Sequence, residues 1–436
     1  AGGCGRGIPS ADGVRGAPVN GPRNSFVLGF LFACCVTYGA YQTGRAFLHP
    51  KQGVDFAPGF VAAKLVHEGR AADLYDERVI AARADELGLR VPRGAEDPIP
   101  RYCYPPWVVL VYAPLSGLDW NTARSLWFLV ELTASFSAAY LMGRTLDSDP
   151  NRRSIWVLVS LAATCVYFPT TYGLMGGQAN DLQLLAIVAC LALLKVDRPF
   201  LAGMVLAPAG MWKIFTAIPL IFLLVRREWR ALAGFAAGAA ALVLVSLPVT
   251  GIEAWTNWYH LMRESYSTAV AVPRNHSIAA SMQSLFSASL FGRPIVDAPG
   301  TSRVATLVLQ LLVAAAAGFI LGPFARRHEP RYALQFSITL VAAVLLVPMS
   351  WEHYGVFLLP AFLACAALAL QFAPERLPAA ALGLSFGLWA FVLQLGSEYA
   401  ALSGRLYALV TPVKMFATLV LLALSAWLTR RAVRRA

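Results

Sequence analysis

The sequence predicts an all-α polytopic membrane protein, and three observations carry that prediction. First, 58% of the 436 residues are hydrophobic and only 14% are charged, against about 25% charged in a soluble domain. Second, apolar runs near the roughly 20 residues that cross a bilayer as a helix recur from residue 26 to residue 429. Third, the net charge of +12 is unevenly placed. Residues 1–25, 144–153, 195–198, 226–230, 326–331, 373–378 and 430–436 together hold 19 Lys/Arg and 7 Asp/Glu, while the remainder holds 17 of each. Basic segments between spans stay on the cytoplasmic side, so the charge orients the chain. It forms no basic groove with interleaved aromatics, and no nucleic-acid partner is expected. The seven cysteines include no CxxC pair. Cys34, Cys35, Cys165, Cys190 and Cys365 lie in apolar runs and read as small buried hydrophobes, not as a metal site or disulfide framework.

Taken in order, residues 1–25 are rich in Gly, Pro and Arg without apolar periodicity, which predicts a disordered cytoplasmic tail. The run 26–48 is too long for the apolar core of a signal peptide and has no small-residue cleavage site close behind it, so it reads as a retained first helix. Residues 49–106 form a long first external loop with 9 of the 24 acidic residues and 8 basic ones, too charged to lie in hydrocarbon. Within it, 56–68 and 76–87 mix apolar and charged residues at helical spacing, the pattern of short helices lying in the interface. Residues 105–118 are apolar but too short to span and are interrupted by Pro114. Crossing there would put 144–153 outside and break the alternation of basic loops, so the segment reads as re-entrant or interfacial.

Spans follow at 121–143, 154–172 and 182–194. Residues 199–225 lie between two basic clusters, KVDR and RREWR. Both ends inside means a hairpin of two half-depth helices turning near 210–213, because so few residues cannot make two full spans. Further spans are predicted at 231–249, 303–324, 332–347, 355–372, 379–395 and 406–429, with 250–302 as a second long external segment and 430–436 as a basic cytoplasmic tail. Residues 26–429 thus form one integral membrane domain of about twelve helices with both termini cytoplasmic.

On this topology polar groups gather on the external side: Asp55, Arg101, Tyr102 and Tyr104 before Pro105-Pro106, Gln178, Asn180 and Asp181, Lys213, Arg274, Asn275 and His276, and Glu352 and His353. Each has an ordinary reading. Asp55 could be a solvated loop acid, Tyr104-Pro105-Pro106 a plain helix start, Lys213 a snorkelling anchor and Glu352-His353 an interfacial cap. Glu131, inside a span, reads as a bundle hydrogen-bonding residue, and Trp255, Trp258 and Tyr259 as an aromatic belt. Their convergence on one face is less ordinary, and a charge at Lys213 inside an apolar hairpin requires a partner.

The order and spacing of Asp55-Phe56 after the first helix, Tyr104-Pro105-Pro106, the GQAN stretch 177–180, Lys213 in a short hairpin, Asn275-His276-Ser277 and Ser350-Trp351-Glu352-His353 resemble glycosyltransferase family 87. The resemblance extends from Asp55 to Pro360. Where the family pattern reads SWDHH-like, this chain has Glu352 and Tyr354. The resemblance implies a GT-C-type bundle with a long first external loop carrying interfacial helices. It implies an inverting enzyme of the plasma (inner) membrane that takes a hexose, mannose above all, from a polyprenyl-phosphate donor. The acceptor would be a lipid or glycan on the periplasmic or external face. Asp55 would be the general base, with Asp181 and Glu352 as rival acids. Lys213, Arg274, His276 and His353 would bind the donor phosphate, and Phe56, Tyr104, Gln178, Asn180, Asp181, Asn275 and Glu352 the substrates. The lipid-linked sugar is a co-substrate, and no cofactor or metal is expected.

The chemistry suits these residue types. A carboxylate can take the acceptor hydroxyl proton as it attacks C1, and cations strengthen their hold on the leaving phosphate as charge develops. No strand-helix alternation or GxGxxG marks a nucleotide-sugar domain. A secondary transporter, which also combines many helices with buried charges, is the competing class. Against it, the two halves of the chain show no repeat and the polar residues cluster externally. A noncatalytic envelope scaffold would leave the pairing of Asp55 with Lys213 without a purpose.

Overall fold

The computed structural model describes residues 22–49, 52–89, 101–147, 149–265, 272, 274–289, 293–372, 376–391 and 405–435. Its helices run in the order α1 (Pro22–Phe47), α2 (Ala57–His67), α3 (Glu77–Glu86), α4 (Val109–Tyr112), α5 (Trp120–Leu146), α6 (Pro150–Val166), α7 (Phe168–Gly176), α8 (Asn180–Lys195), α9 (Pro199–Trp212), α10 (Pro219–Val225), α11 (Trp229–Ser265), α12 (Ile278–Phe286), α13 (Pro299–Leu321), α14 (Pro330–Leu346), α15 (Leu359–Phe372), α16 (Arg376–Ala390), α17 (Arg405–Val410) and α18 (Val413–Arg435). Among the described residues no strand forms, only an isolated antiparallel bridge between Asn275 and Trp351.

The protein is a multi-pass membrane protein. Trp120–Leu146, Trp229–Arg263, Pro299–Leu321, Glu352–Gln371 and Ala408–Arg434 are long and apolar enough to cross a bilayer, and α6 with α7, bent by 59°, is a sixth if the pair is one span. The segments 199–212, 214–225 and 330–346 are apolar but shorter, so length and composition alone stop short of about twelve spans. Local chemistry explains the helix starts. Asp119 accepts from Thr122 N at 3.1 Å, Asp149 from Asn151 N at 2.9 Å, and Ser277 from Ala280 N at 3.1 Å, each an N-cap that satisfies an orphan donor. Proline opens α6, α9, α10, α13 and α14, where its missing N–H is no loss.

The segment 56–68, expected as a short interfacial helix, does form a helix, α2, which is buried within the protein from Ala57 to Ala63. Phe56 and Phe60 pack among Tyr112, Trp120 and Trp127, and that aromatic cluster draws the helix inside. The span ending at 249 continues as α11 to Ser265 past a break at Gly251 (φ 74°, ψ 165°), so part of the segment 250–302 is helical. The basic residues up to Arg435, expected as a cytoplasmic tail, continue the helix α18. The expected N-terminal tail up to residue 21, residues 90–100 of the first loop, and residues 266–271 and 290–292 lie outside the described residues.

Three basic segments assigned to one side of the membrane meet at one end of the bundle. Arg327 donates to Glu228 at 2.8 Å and also pairs with Asp197. The closest helix packing is between α9 and α11. A Cβ on Gly203 would fall 1.8 Å from Ala231 O, and one on Gly234 2.0 Å from Phe200 O. Small residues permit such backbone approach in lipid, where packing rather than a hydrophobic gradient holds helices together. This contact holds α9, and with it the break at Lys213, against the longest helix. Overpacking of a close contact costs about 1–3 kcal/mol. Gly203→Leu should therefore lower the thermal unfolding midpoint of the purified protein, whereas Gly383→Leu, where an added Cβ meets nothing within 4 Å, should not.

Candidate active site

The site is built where the loop after α1 docks on the turn between α7 and α8. Gly53 N donates to Met175 O at 2.9 Å and Asp55 N to Gly176 O at 2.7 Å. Trp127 Nε1 donates to Gly177 O at 3.0 Å. Gly177 caps α7 with φ 74°, and a Cβ there would lie 2.7 Å from Phe56 Cβ. Only glycine takes that backbone conformation readily and lets the loop approach so closely. Phe56 is fully buried, stacked between Trp120 (5.7 Å, 20°) and Trp127 (5.5 Å, 14°). It anchors the loop, while its neighbour Asp55 stays half-exposed. A Cβ on Gly176 would lie 2.6 Å from Asp55 Oδ2, so the carboxylate rests directly on that glycine.

Lys213 sits in extended backbone between α9 and the 3-10 turn Ile214–Ala217. Its ammonium is buried, donating to Gln178 Oε1 at 2.9 Å and Asn180 Oδ1 at 2.7 Å, and lies 4.9 Å from the centre of the Tyr354 ring. An ammonium has three donors, and the two amides take two of them. Asn180 in turn donates from Nδ2 to His353 O at 3.0 Å. The GQAN turn, the hairpin break and the SWEHYG segment, remote in sequence, are thereby one unit. The charge of Asp55 acts on Lys213, on Cys103, on Tyr104 and on Tyr172. Burial, with Cys103 beside it, pushes the Tyr104 hydroxyl well above its ordinary pKa, so it remains a proton donor.

A ladder of rings and cations continues from Lys213. Tyr354 stacks on Phe215 at 4.4 Å, His353 meets Tyr354 edge-on at 4.9 Å, and Tyr172 stacks on His353 at 6.2 Å. Arg274, held at φ 72°, places its guanidinium 5.0 Å from the Tyr172 ring and donates to the Tyr172 hydroxyl. Asp55, Tyr104, Gln178, Asn180, Lys213, Arg274 and His353 thus share one neighbourhood.

The other residues singled out by the sequence are engaged inside the protein. His276 was expected beside the phosphate and Glu352 beside the substrates. Instead His276 Nε2 meets Glu352 Oε2 at 2.9 Å, and Lys414 pairs with Glu352 Oε1. All three are buried, as charges in such a bundle must be when they pair with one another. Asn275 donates to Pro348 O at 3.0 Å and accepts from Ser277 N and Ser350 N at 3.2 and 2.8 Å, which uses its amide to hold the segment before Trp351. Asp181 is fully buried with neither oxygen well hydrogen-bonded, and Glu131 on α5, close enough for the two charges to interact, is in the same state. Among the described residues no group of three or more His, Cys, Asp or Glu could hold a metal ion.

Sequence reasoning passed over Lys414, although an ionisable residue inside a predicted span is a signal in itself. It also passed over Tyr172, which nothing distinguishes from other membrane aromatics.

The site is thus a hydrogen-bonded ammonium buried at a helix break of a membrane bundle, within the electrostatic reach of a partly exposed carboxylate. Residues 102–350 match Glycosyltransferase family 87, and the chain belongs to that family. It is a glycosyltransferase. Asp55, Glu352 and His353 lie outside the matched residues. The chain is 26% identical over 337 residues to a Mycobacterium tuberculosis protein named polyprenol-phosphate-mannose-dependent alpha-(1-2)-phosphatidylinositol mannoside mannosyltransferase, covering 74% of this chain and 72% of the relative. It is 25% identical over 268 residues to a second Mycobacterium tuberculosis protein, and 23% identical over 265 residues to one from Mycolicibacterium smegmatis. Both carry the corresponding name for a phosphatidylinositol pentamannoside mannosyltransferase, and this chain spans 57% and 60% of their lengths. No solved structure matches the chain.

The contact at Gly176 makes a separable prediction. An added methyl meets the mobile end of the Asp55 side chain, so Gly176→Ala should rotate the carboxylate without unfolding the loop. Displacement of a catalytic group by about 1 Å can cost about 10²-fold in rate. Glycosyl transfer should fall by that order while the unfolding midpoint stays within a few degrees of wild type. A variant that transfers normally would mean the Asp55 position is not critical.

Proposed function

We propose that this protein transfers a hexose, mannose as in its relatives' names, from a polyprenyl-phosphate donor to a lipid-borne glycan on the external face of the plasma membrane, with inversion at C1. The observation that carries the reading is the Lys213 ammonium, buried at the break of an apolar hairpin and within the electrostatic reach of Asp55. A lysine so placed suits a phosphate that arrives through the bilayer on a prenyl chain, and the carboxylate beside it suits the acceptor hydroxyl. Asp55 takes the acceptor proton as the hydroxyl oxygen bonds to C1. The bond from C1 to the phosphate oxygen breaks, and polyprenyl phosphate leaves with the electron pair, its charge met by Lys213, Arg274 and His353. A single displacement turns a β-linked donor into an α-glycoside, the linkage in the relatives' names. The lipid-linked sugar is the co-substrate, and no metal or other cofactor takes part in these steps.

The acceptor class we propose is a phosphatidylinositol mannoside or a similar mannosylated lipid, by analogy with those names. The topology has about twelve helices counting the short pair at 199–225, with both termini cytoplasmic and residues 49–104 and 250–302 external. The meeting of Arg327, Glu228 and Asp197 at one end of the bundle supports that assignment.

Two substitutions test the reading. Asp55→Asn keeps size and hydrogen bonding but cannot accept a proton, and loss of general-base help costs about 10²–10⁴-fold in rate. Donor binding should change little, since the phosphate contacts remain. Near wild-type transfer by purified Asp55→Asn, with Asp181→Asn inactive, would move the base to Asp181.

Lys213→Ala should weaken donor use strongly, and Lys213→Arg should recover part of it because charge is kept while geometry is not. Full transfer activity in Lys213→Ala would remove Lys213 from the site.

A further inference from the structure

We propose that Lys414 is a positioning residue for this site: through a buried ion triad with Glu352 and His276 it sets the turn that presents His353 and Tyr354 to the donor phosphate. The inference rests on the phosphosugar reading above, but its geometry stands apart from it. Lys414 lies in the first turn of α18, far from the matched motifs in sequence, and is fully buried. Its ammonium pairs with Glu352 Oε1 and lies 5.1 Å from the Trp389 ring and 5.5 Å from that of Phe168. Glu352 Oε2 meets His276 Nε2 at 2.9 Å, and the His276 ring stands edge-on to Trp389 at 5.4 Å. Trp389 also packs on Gly355, where a Cβ would fall 2.6 Å from its ring.

The turn 350–354 is thus gripped from three sides. Lys414 holds Glu352 from α18. His276 N donates to Ser350 O at 2.7 Å, and Asn275 Oδ1 receives Ser350 N at 2.8 Å. From α8, Asn180 holds His353 O at 3.0 Å and passes the constraint to Lys213 at 2.7 Å. Lys414 and Lys213 are therefore linked by polar contacts at either end and by the backbone from Glu352 to His353 between them. A buried ion pair is weak evidence for stability, because apolar residues of similar volume often serve as well. What apolar residues could not do is fix the direction of Glu352, and with it the next two residues, whose rings face Tyr172 and the Lys213 ammonium.

Lys414→Met alone leaves Glu352 buried without its cation, so it should reduce the yield of folded protein. The informative variant is Lys414→Met/Glu352→Gln, which removes both charges and leaves an amide to meet His276. It should elute and melt like wild type, yet turn over about 10²-fold more slowly with little change in donor KM. In ¹⁵N-histidine-labelled protein without substrate, the His353 ring signals, assigned by His353→Gln, should move. A folded double variant with wild-type kcat and an unmoved His353 signal would overturn the proposal. A double variant that cannot fold would assign Lys414 to folding alone and overturn it as well. If wild type transferred sugar from no polyprenyl-phosphate donor, the functional reading would fail, while the His353 signal would still decide whether Lys414 positions the turn.

Discussion

A lysine ammonium taken out of water must be met by hydrogen-bond acceptors, and the arrangement around Lys213 follows from that requirement. Its acceptors are the Gln178 and Asn180 side chains, so the turn between α7 and α8 has to come to the break between α9 and α10. Asn180 has a second polar end, and this fixes the His353 carbonyl. Desolvating a charge without such partners would be prohibitive. The need to satisfy one ammonium therefore brings together three segments that lie far apart in the chain.

Backbone proximity is the second condition, and glycine supplies it. The Asp55 loop reaches the site only because Gly176 and Gly177 present bare backbone, with Gly177 in the left-handed region. The aromatic cluster of Phe56, Phe60, Tyr112, Trp120 and Trp127 then locks the loop from behind. Functional carboxylate and structural anchor are adjacent residues facing opposite ways. A site carried on a loop gains in this way the rigidity expected of one carried on helices.

The charged residues divide into two environments. Asp55 and Arg274 are partly exposed, and between them the buried Lys213 ammonium is met by neutral amides rather than by a carboxylate. Glu352, His276 and Lys414 pair with one another, packed beneath Trp389 and Phe168. The two sets are one residue apart at Glu352 and His353. A buried, mutually satisfied ion triad has few alternative arrangements, so it can hold the neighbouring residue His353 in place.

Composition, apolar run length and the placement of basic residues determined by themselves that this is a helical membrane protein. They also located the break at Lys213 and drew attention to Asp55, Gln178, Asn180, Arg274 and His353, which the fold brings into one neighbourhood, because charges and amides inside or beside apolar runs are costly and therefore informative. Membership of glycosyltransferase family 87 was legible for the same reason, in the order of those motifs. What the sequence could not contain was the pairing. Which cation meets Glu352, whether Phe56 faces a substrate or a tryptophan, and whether the carboxylate of Asp181 is open or enclosed depend on contacts between residues far apart in the chain. Neither spacing nor hydropathy encodes those contacts. Only the packing of α5 against α8, of α8 against α9 and of α18 against α15 and α16 decided them, since the same residue types at the same spacing are compatible with an open cleft or a sealed ion triad.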